Sequence, residues 1–318
     1  MKVVTLAGGV GAARMLGGLI QVVAPDDLAA IVNVGDDTKL HGLHISPDLD
    51  TVTYTLAGAI NPATGWGLVD ETWNAMDTLK RYGGVTWFGL GDRDLGTHLY
   101  RTQRLDEGAT LAEVTTEIAQ AWDLRLRLLP ATNDPLRTRV TVEGEGEIGF
   151  QEYFVQRHHS VPVRSVRFAG AEAARPGPGV LQSLHNADAI VIAPSNPIVS
   201  IGPVLAVPGV RDAVEARRSR VVAVSPIIAG AALKGPADRL MTELGHEASV
   251  VGVARLYSSF ASVLVIDEVD RDLAPAVQAE GLACVVAPTI MSGPAEAAAL
   301  ARTVLDALGP PDSPDSPD

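Results

Sequence analysis

The opening 34 residues constrain the fold more than any other stretch. Lys2–Ala7 is a short, continuous apolar run, Gly8-Gly9-Val10-Gly11 is a tight turn, and Ala12–Val23 puts Leu16, Leu19, Ile20 and Val23 on one helical face. A second apolar run, Ala29–Val34, follows and is closed by Gly35. Strand, helix and strand in that order make a βαβ unit, and strands joined by a crossover helix lie parallel.

The same alternation predicts the rest of the architecture. Pro47–Ala57 reads as a helix with Ser46 as N-cap and Gly58 as its stop. Glu71–Tyr82 reads as a second helix capped by Asp70, Val85–Leu90 as a strand, and Thr110 to Glu113 as a capping box opening a helix that reaches Trp122. From Arg125 the texture turns β-rich, with runs at Arg137–Val142, Gly149–Gln156 and Val161–Phe168. Strands at Ala189–Ala193, Arg220–Val224, Ser262–Ile266 and Leu282–Val286 then lead to an Ala-rich closing helix, Pro294–Leu308. The expectation is an α/β, doubly wound, mostly parallel Rossmann-like sheet. Its core spans residues 1–124 and 176–308, a small β-rich subdomain is inserted at 125–175, and the Pro/Asp/Ser-rich tail 309–318 is disordered.

Composition narrows the function. With 25 Lys and Arg against 38 Asp and Glu, the net charge of −13 argues against nucleic acid or an anionic membrane surface as partner. The single Cys284 excludes an internal disulfide and a cysteine-based zinc site. Met1 leads straight into the first strand and no apolar run has the length of a membrane span, so a cytoplasmic protein is expected.

Loops that leave strand ends carry the chemistry, because open parallel sheets bind ligands there. The glycine turn lets a phosphate approach backbone N–H groups at a helix N-terminus. Read as a dinucleotide fingerprint, Gly9 and Gly11 would be its first two glycines, but the third position is Arg14, a side chain suited to a phosphate contact. Asp36 and Asp37 follow the second strand, and Asp48 and Asp50 sit in the first turn of the next helix. Facing each other, these four would surround one small volume fit for a hard divalent cation such as Mg2+, which takes a few carboxylates plus substrate phosphate oxygens. Acidic residues in a first turn also complement the helix dipole, so the case rests on the four together. Further on, Gly91-Asp92-Arg93-Asp94 with His98, and Ser195-Asn196-Pro197 with Ser200, concentrate charged and polar groups after expected strand ends. His158 and His159 lie in the β-rich segment without a carboxylate at metal-binding spacing and read as structural.

Taken together, Gly8–Gly11, Ser46-Pro47-Asp48-Leu49-Asp50-Thr51, Gly91–Asp94 and Ala193–Pro203 (APSNPIVSIGP) resemble the 2-phospho-L-lactate transferase family, as does Val224–Ile228 with Lys234-Gly235-Pro236-Ala237. The resemblance runs from Lys2 to about Leu308. It implies an enzyme of coenzyme F-420 biosynthesis that requires magnesium. The phospho-acid group of a guanosine diphosphate-linked lactyl or enolpyruvyl donor passes to the terminal ribityl hydroxyl of the deazaflavin Fo, and GMP leaves. By resemblance the Gly8–Gly11 turn holds the diphosphate, while Ser195 and Asn196 hold the guanosine end. Asp50 either shares the metal with Asp36 or Asp37, or orients or deprotonates the attacking hydroxyl. Arg93 is the first candidate to neutralise phosphate and Arg14 the second, with Asp92, Asp94, His98 and Ser200 lining the substrate. One departure stands out, since Asn133 occupies a place where relatives carry a carboxylate.

Two rivals remain. A UDP-sugar-binding regulator of the gluconeogenesis-factor type shares the glycine turn and an Asp-Asp pair, but continues with Gly-Gly-Ser-Ser-Gly where this chain has Thr38-Lys39-Leu40-His41-Gly42. An NAD-dependent dehydrogenase matches the glycine turn and Asp36, which would then contact a ribose. The apolar closing helix offers a surface for a homodimer.

Overall fold

The computed structural model describes residues 1–309, so the expected tail lies outside the described residues apart from Gly309. Seven parallel strands form the central sheet: β1 (Val3–Ala7), β2 (Leu28–Val32), β5 (Arg127–Pro130), β9 (Ala189–Ile192), β10 (Val221–Val224), β13 (Val263–Ile266) and β14 (Ala283–Val286). Their spatial order is β14-β13-β10-β9-β1-β2-β5. The chain therefore winds outward from β1 in one direction, returns, and winds outward in the other from β9. This is the doubly wound pattern, and its switch point lies between β1 and β9. Every residue of β1, β2, β9, β10 and β13 is buried, as expected for strands covered on both faces.

The β-rich segment is divided. Arg127–Pro130 pairs in parallel with β2 and closes one edge of the large sheet, so the small sheet begins only after it. That sheet comprises β6 (Arg137–Val142), β7 (Gly146–Gly149) and β8 (Val163–Ala169), in antiparallel order β7-β6-β8. The run expected as a strand at Gly149–Gln156 instead becomes a π-helical turn, Glu152–Gln156, which packs Tyr153 into the core of the small sheet.

Helix α1 (Gly9–Leu19) follows β1. After β2 come a short hairpin of β3 (Thr38–Leu40) and β4 (Leu43–Ile45), then α2 (Pro47–Leu56). Three more helices precede β5: α3 (Asn74–Arg81), α4 (Asp94–Asp106) and α5 (Leu111–Ala121). The capping box on α5 forms as expected, with Thr110 and Glu113 bonded reciprocally.

Two expectations in this region fail, for one reason. Helix α3 begins three residues later than Glu71, and Asp70 is not its cap but sits in the left-handed region (φ +56°). The free N–H groups of Asn74 and Ala75 are instead met by Asp92 (2.9 and 3.0 Å), while Glu71 meets those of Arg93 and Asp94 at the start of α4 (2.7 and 2.8 Å). Each helix is capped by the residue preceding the other, and that crossed arrangement holds Val85–Leu90 as a loop. Trp87, Phe88 and Leu90 face a cavity or the small cluster around Met76, and Val85 is exposed, so none of them packs on the central sheet.

The closing helix, Pro294–Asp306, buries Ala297, Leu300, Ala301 and Val304. A methyl on Gly18 of α1 would lie 2.2 Å from the Ala297 carbonyl oxygen, so this helix packs closely on α1 of its own chain. The apolar face offered in the sequence as a dimer surface is thus covered from within. Among the described residues no helix is long and apolar enough to cross a membrane.

Candidate functional site

A cavity of about 810 Å³ opens at the carboxyl ends of the parallel strands. Gly8 follows β1 into it, Asp36 follows β2, Pro194 follows β9 and Ser225 follows β10. The first and third of these flank the switch point, where ligands of open α/β sheets bind.

The glycine turn is shaped by what presses on it. Gly9 has φ +72°, which an L side chain adopts only with strain. At Gly11 a methyl would lie 2.2 Å from the Pro194 carbonyl oxygen, so α1 starts in contact with the loop after β9. Ser195 joins the two loops, donating its hydroxyl to the Gly8 carbonyl (2.8 Å) and accepting the Gly8 N–H (3.3 Å). It therefore fixes the turn and does not present a free hydroxyl. Asn196 accepts the N–H groups of Ile198 and Val199 through Oδ1 (2.9 and 3.2 Å), while its buried Nδ2 has no partner and belongs to the cavity wall. Ser200 also lines the cavity, as does Arg14, whose Nη1 donates to the Met291 carbonyl (3.3 Å).

Four carboxylates line the same cavity in two different states. Asp36 and Asp48 are buried neighbours, and Asp48 lies against the glycine turn. Asp48 accepts the Asn33 amide (2.9 Å) and the Gly9 N–H, yet burial raises it from 3.8 to about 6. Burial and then the Asp48 charge raise Asp36 well above its ordinary value, and its Oδ1 has no hydrogen-bond partner. These two groups have no cationic side chain against them. By contrast, both oxygens of Asp50 accept the Arg101 guanidinium, one of them at 3.1 Å, and Arg101 is 2% exposed. His98 stands behind this pair, its Nδ1 3.7 Å from Asp50 and its Nε2 3.2 Å from Asp94. The Tyr54 hydroxyl donates to Asp94 (2.7 Å). Burial works to raise Asp94, but His98, Tyr54 and Arg101 outweigh it and hold the carboxyl below its usual range. Burial and the charges of Asp50 and Asp94 push the Tyr54 phenol far up, so it stays a donor.

The other expected residues lie elsewhere. Asp37 does not line the cavity; it accepts the Ser46 hydroxyl (2.8 Å) and burial lifts it to about 7. Arg93 is exposed, absent from the cavity wall, and donates to the Val69 carbonyl, so the structure does not bring it to the phosphate site. Asp92 is spent on capping α3. Asn133 accepts the Ala112 N–H at the start of α5 (2.9 Å), which gives it a structural role.

Several residues of the site left little mark in the sequence. Arg101 gave no signal beyond lying seven residues after the Asp94 cluster, on the α4 turn that faces α2. Tyr54, Trp66, Trp87, Phe88, Phe150 and Phe154 form an aromatic section of the wall in a chain with only five Phe, five Tyr and four Trp. Phe150 and Phe154 stack at 5.6 Å, and His158, read as structural, belongs to this section with its backbone in the left-handed region.

A sequence model of the family described as 2-phospho-L-lactate transferase CofD matches residues 3–301. The chain belongs to this family. It is an enzyme, a transferase of the phospholactate and phosphoenolpyruvate class. It is 45% identical over 311 residues to a phosphoenolpyruvate transferase of Kitasatospora aureofaciens, covering 96% of this chain and 97% of that one. It is 41% identical to the phosphoenolpyruvate transferase of Mycolicibacterium smegmatis, covering 97% and 99%. A crystal structure of a UPF0052-family protein from Bacillus halodurans shares the fold, with a TM-score of 0.63 at 17% identity over 96% of this chain and 98% of that one.

Proposed function

We propose that the protein transfers a phosphoenolpyruvyl group from a guanosine diphosphate-linked donor to the terminal ribityl hydroxyl of Fo and releases GMP, as a step of coenzyme F-420 biosynthesis. The observation that carries this reading is one cavity whose lining combines two kinds of group. The glycine turn, Asp36, Asp48 and the unpaired Asn196 amide are polar. Tyr54, Trp66, Trp87, Phe88, Phe150 and Phe154 are aromatic and suit the flat ring system of a deazaflavin. Phosphoenolpyruvate is the acid named for the relatives at 45 and 41% identity, which favours enolpyruvyl over lactyl.

A divalent cation suits the polar lining. Asp36 and Asp48 are buried carboxylates without a cation between them, and Asp36 Oδ1 lacks any partner. Among the described residues no group of three or more His, Cys, Asp and Glu is arranged to hold a metal unaided. Two carboxylates completed by substrate phosphates and water match the habit of magnesium. Bound there, magnesium would neutralise the phosphates and template their alignment. Asp50 is assigned a different part, since both its oxygens are engaged by Arg101. A carboxylate held in place on the cavity wall orients the attacking hydroxyl and accepts its proton as the bond to phosphorus forms and GMP leaves. Asp48 beside Gly9 disfavours a dinucleotide, whose pyrophosphate would meet a like charge at that helix start without the magnesium that accompanies a nucleoside diphosphate donor.

The test is a chromatographic assay of the purified protein with Fo, magnesium and either donor. Dehydro product from the enolpyruvyl donor, abolished by EDTA, is the expected outcome. Product from the lactyl donor alone would change the acid, and failure to bind Fo would end the transferase reading for this acceptor and turn attention to UDP-sugars.

A further inference from the structure

Two loops meet over the glycine turn at a single cation. After β10 the chain passes through Ser225 and Pro226 into a pair of two-residue strands, β11 (Ile227–Ile228) and β12 (Ala231–Ala232), and then through Leu233, Lys234 and Gly235. The base of this arm is held from behind. Buried Asp270 accepts the Ala229 N–H on both oxygens (3.2 and 3.0 Å), and Ala229 has φ +50°, a conformation that persists when surroundings enforce it.

The far end is less constrained. Lys234 is exposed, and its ammonium makes one long hydrogen bond, 3.4 Å, to the Thr64 carbonyl in the loop that carries Trp66. A methyl built on Gly65 would lie 2.7 Å from Lys234 Nζ and 3.7 Å from Val10 Cγ1, so ammonium, loop and glycine turn converge on one point. Arg14 and Lys234 are the Arg and Lys side chains on the wall among the described residues, and Arg14 already donates to Met291. No carboxylate pairs with Lys234 among the described residues, although four share its cavity. An ammonium has three donors and here uses one of them, weakly.

We propose that Lys234 is a donor-binding residue, whose ammonium exchanges the Thr64 carbonyl for the diphosphate of the nucleotide donor above the glycine turn. This rests on the reading of the site as one for a guanosine diphosphate-linked substrate. The backbone is held at Ala229 and again at buried Pro236 and Ala237, so the exposed side chain makes the exchange, and the ligand supplies a partner far stronger than a carbonyl at 3.4 Å.

The test measures GDP binding by calorimetry with magnesium, alongside transfer kinetics, for wild type, Lys234→Met and Lys234→Arg. The side chain is exposed, so both variants are expected to melt with wild type. Lys234→Met should weaken GDP binding and raise the donor KM by about 10- to 100-fold, the loss of a charged hydrogen bond. The acceptor KM should stay within about twofold of wild type, well under a 1.4 kcal/mol step. Lys234→Arg should recover most of the loss. If wild type binds GDP and turns over while Lys234→Met does so equally well, the inference falls and the function stands. If wild type binds no GDP, both fall together.

Discussion

Asp50 and Asp94 stand on one side of the cavity with their charges met by Arg101, His98 and Tyr54. Asp48 stands at the glycine turn beside Asp36 with no cation against either, and burial raises both. The chain places two pairs of buried acids in one wall and compensates only one pair. A compensated carboxylate is held in place, which is what a group that orients a nucleophile requires. An uncompensated pair is a cost in the free protein that a bound cation would remove.

The largest expected effect comes from breaking the compensated side. Arg101→Met leaves Asp50 buried and unpaired, and is expected to lower stability by about 3–5 kcal/mol in chemical denaturation. A loss under about 1 kcal/mol would show that water, not Arg101, neutralises Asp50. Asp50→Asn strands the guanidinium in the same way. It is therefore expected to lower stability as well as transfer, whereas local sequence suggests a normally folded but inactive variant. Arg101→Met combined with Asp50→Leu should recover stability without activity.

The uncompensated side should respond with the opposite sign. Asp48 rises from 3.8 to about 6 on folding, so it stabilises the free protein below pH about 4, and that contribution is lost as pH rises through about 6. Asp37, raised to about 7, adds a loss in the same direction. Melting of the metal-free protein should therefore fall between pH 5 and 8, and magnesium should restore part of it at pH 8. Asp48→Asn should flatten the pH dependence, erase the magnesium effect and abolish transfer. A wild-type melting temperature that stays flat across this range would mean that these carboxyls are solvated.

The smallest effect is expected at Arg93. Its side chain lies outside the cavity and donates to a carbonyl, so Arg93→Ala should leave kcat/KM within about twofold and cost at most about 1 kcal/mol of stability. A loss of a few kcal/mol in the transfer barrier would bring Arg93 back to the phosphate.

Much of this molecule was legible from local pattern. Continuous apolar runs separated by helical periodicity marked six of the seven parallel strands, because burial on both faces leaves that signature, but they missed edge strand β5 and wrongly marked Val85–Leu90. The capping box at Thr110 was legible too, since its partners lie three residues apart. Ser46-Pro47 likewise marked the start of α2 and brought Asp48 and Asp50 to the cavity.

Tertiary structure alone decided which acids act together. The compensation of Asp50 comes from Arg101 across two helices, and the caps of α3 and α4 come from Asp92 and Glu71, each about twenty residues from the helix it serves. The aromatic lining is assembled from helix α2, two loops and the π-helical turn, segments far apart in the sequence. A hydrogen bond or ion pair depends on distance in space, and sequence reports that distance only when the chain between the partners is short and regular. Beyond one helical turn, the fold has to supply it.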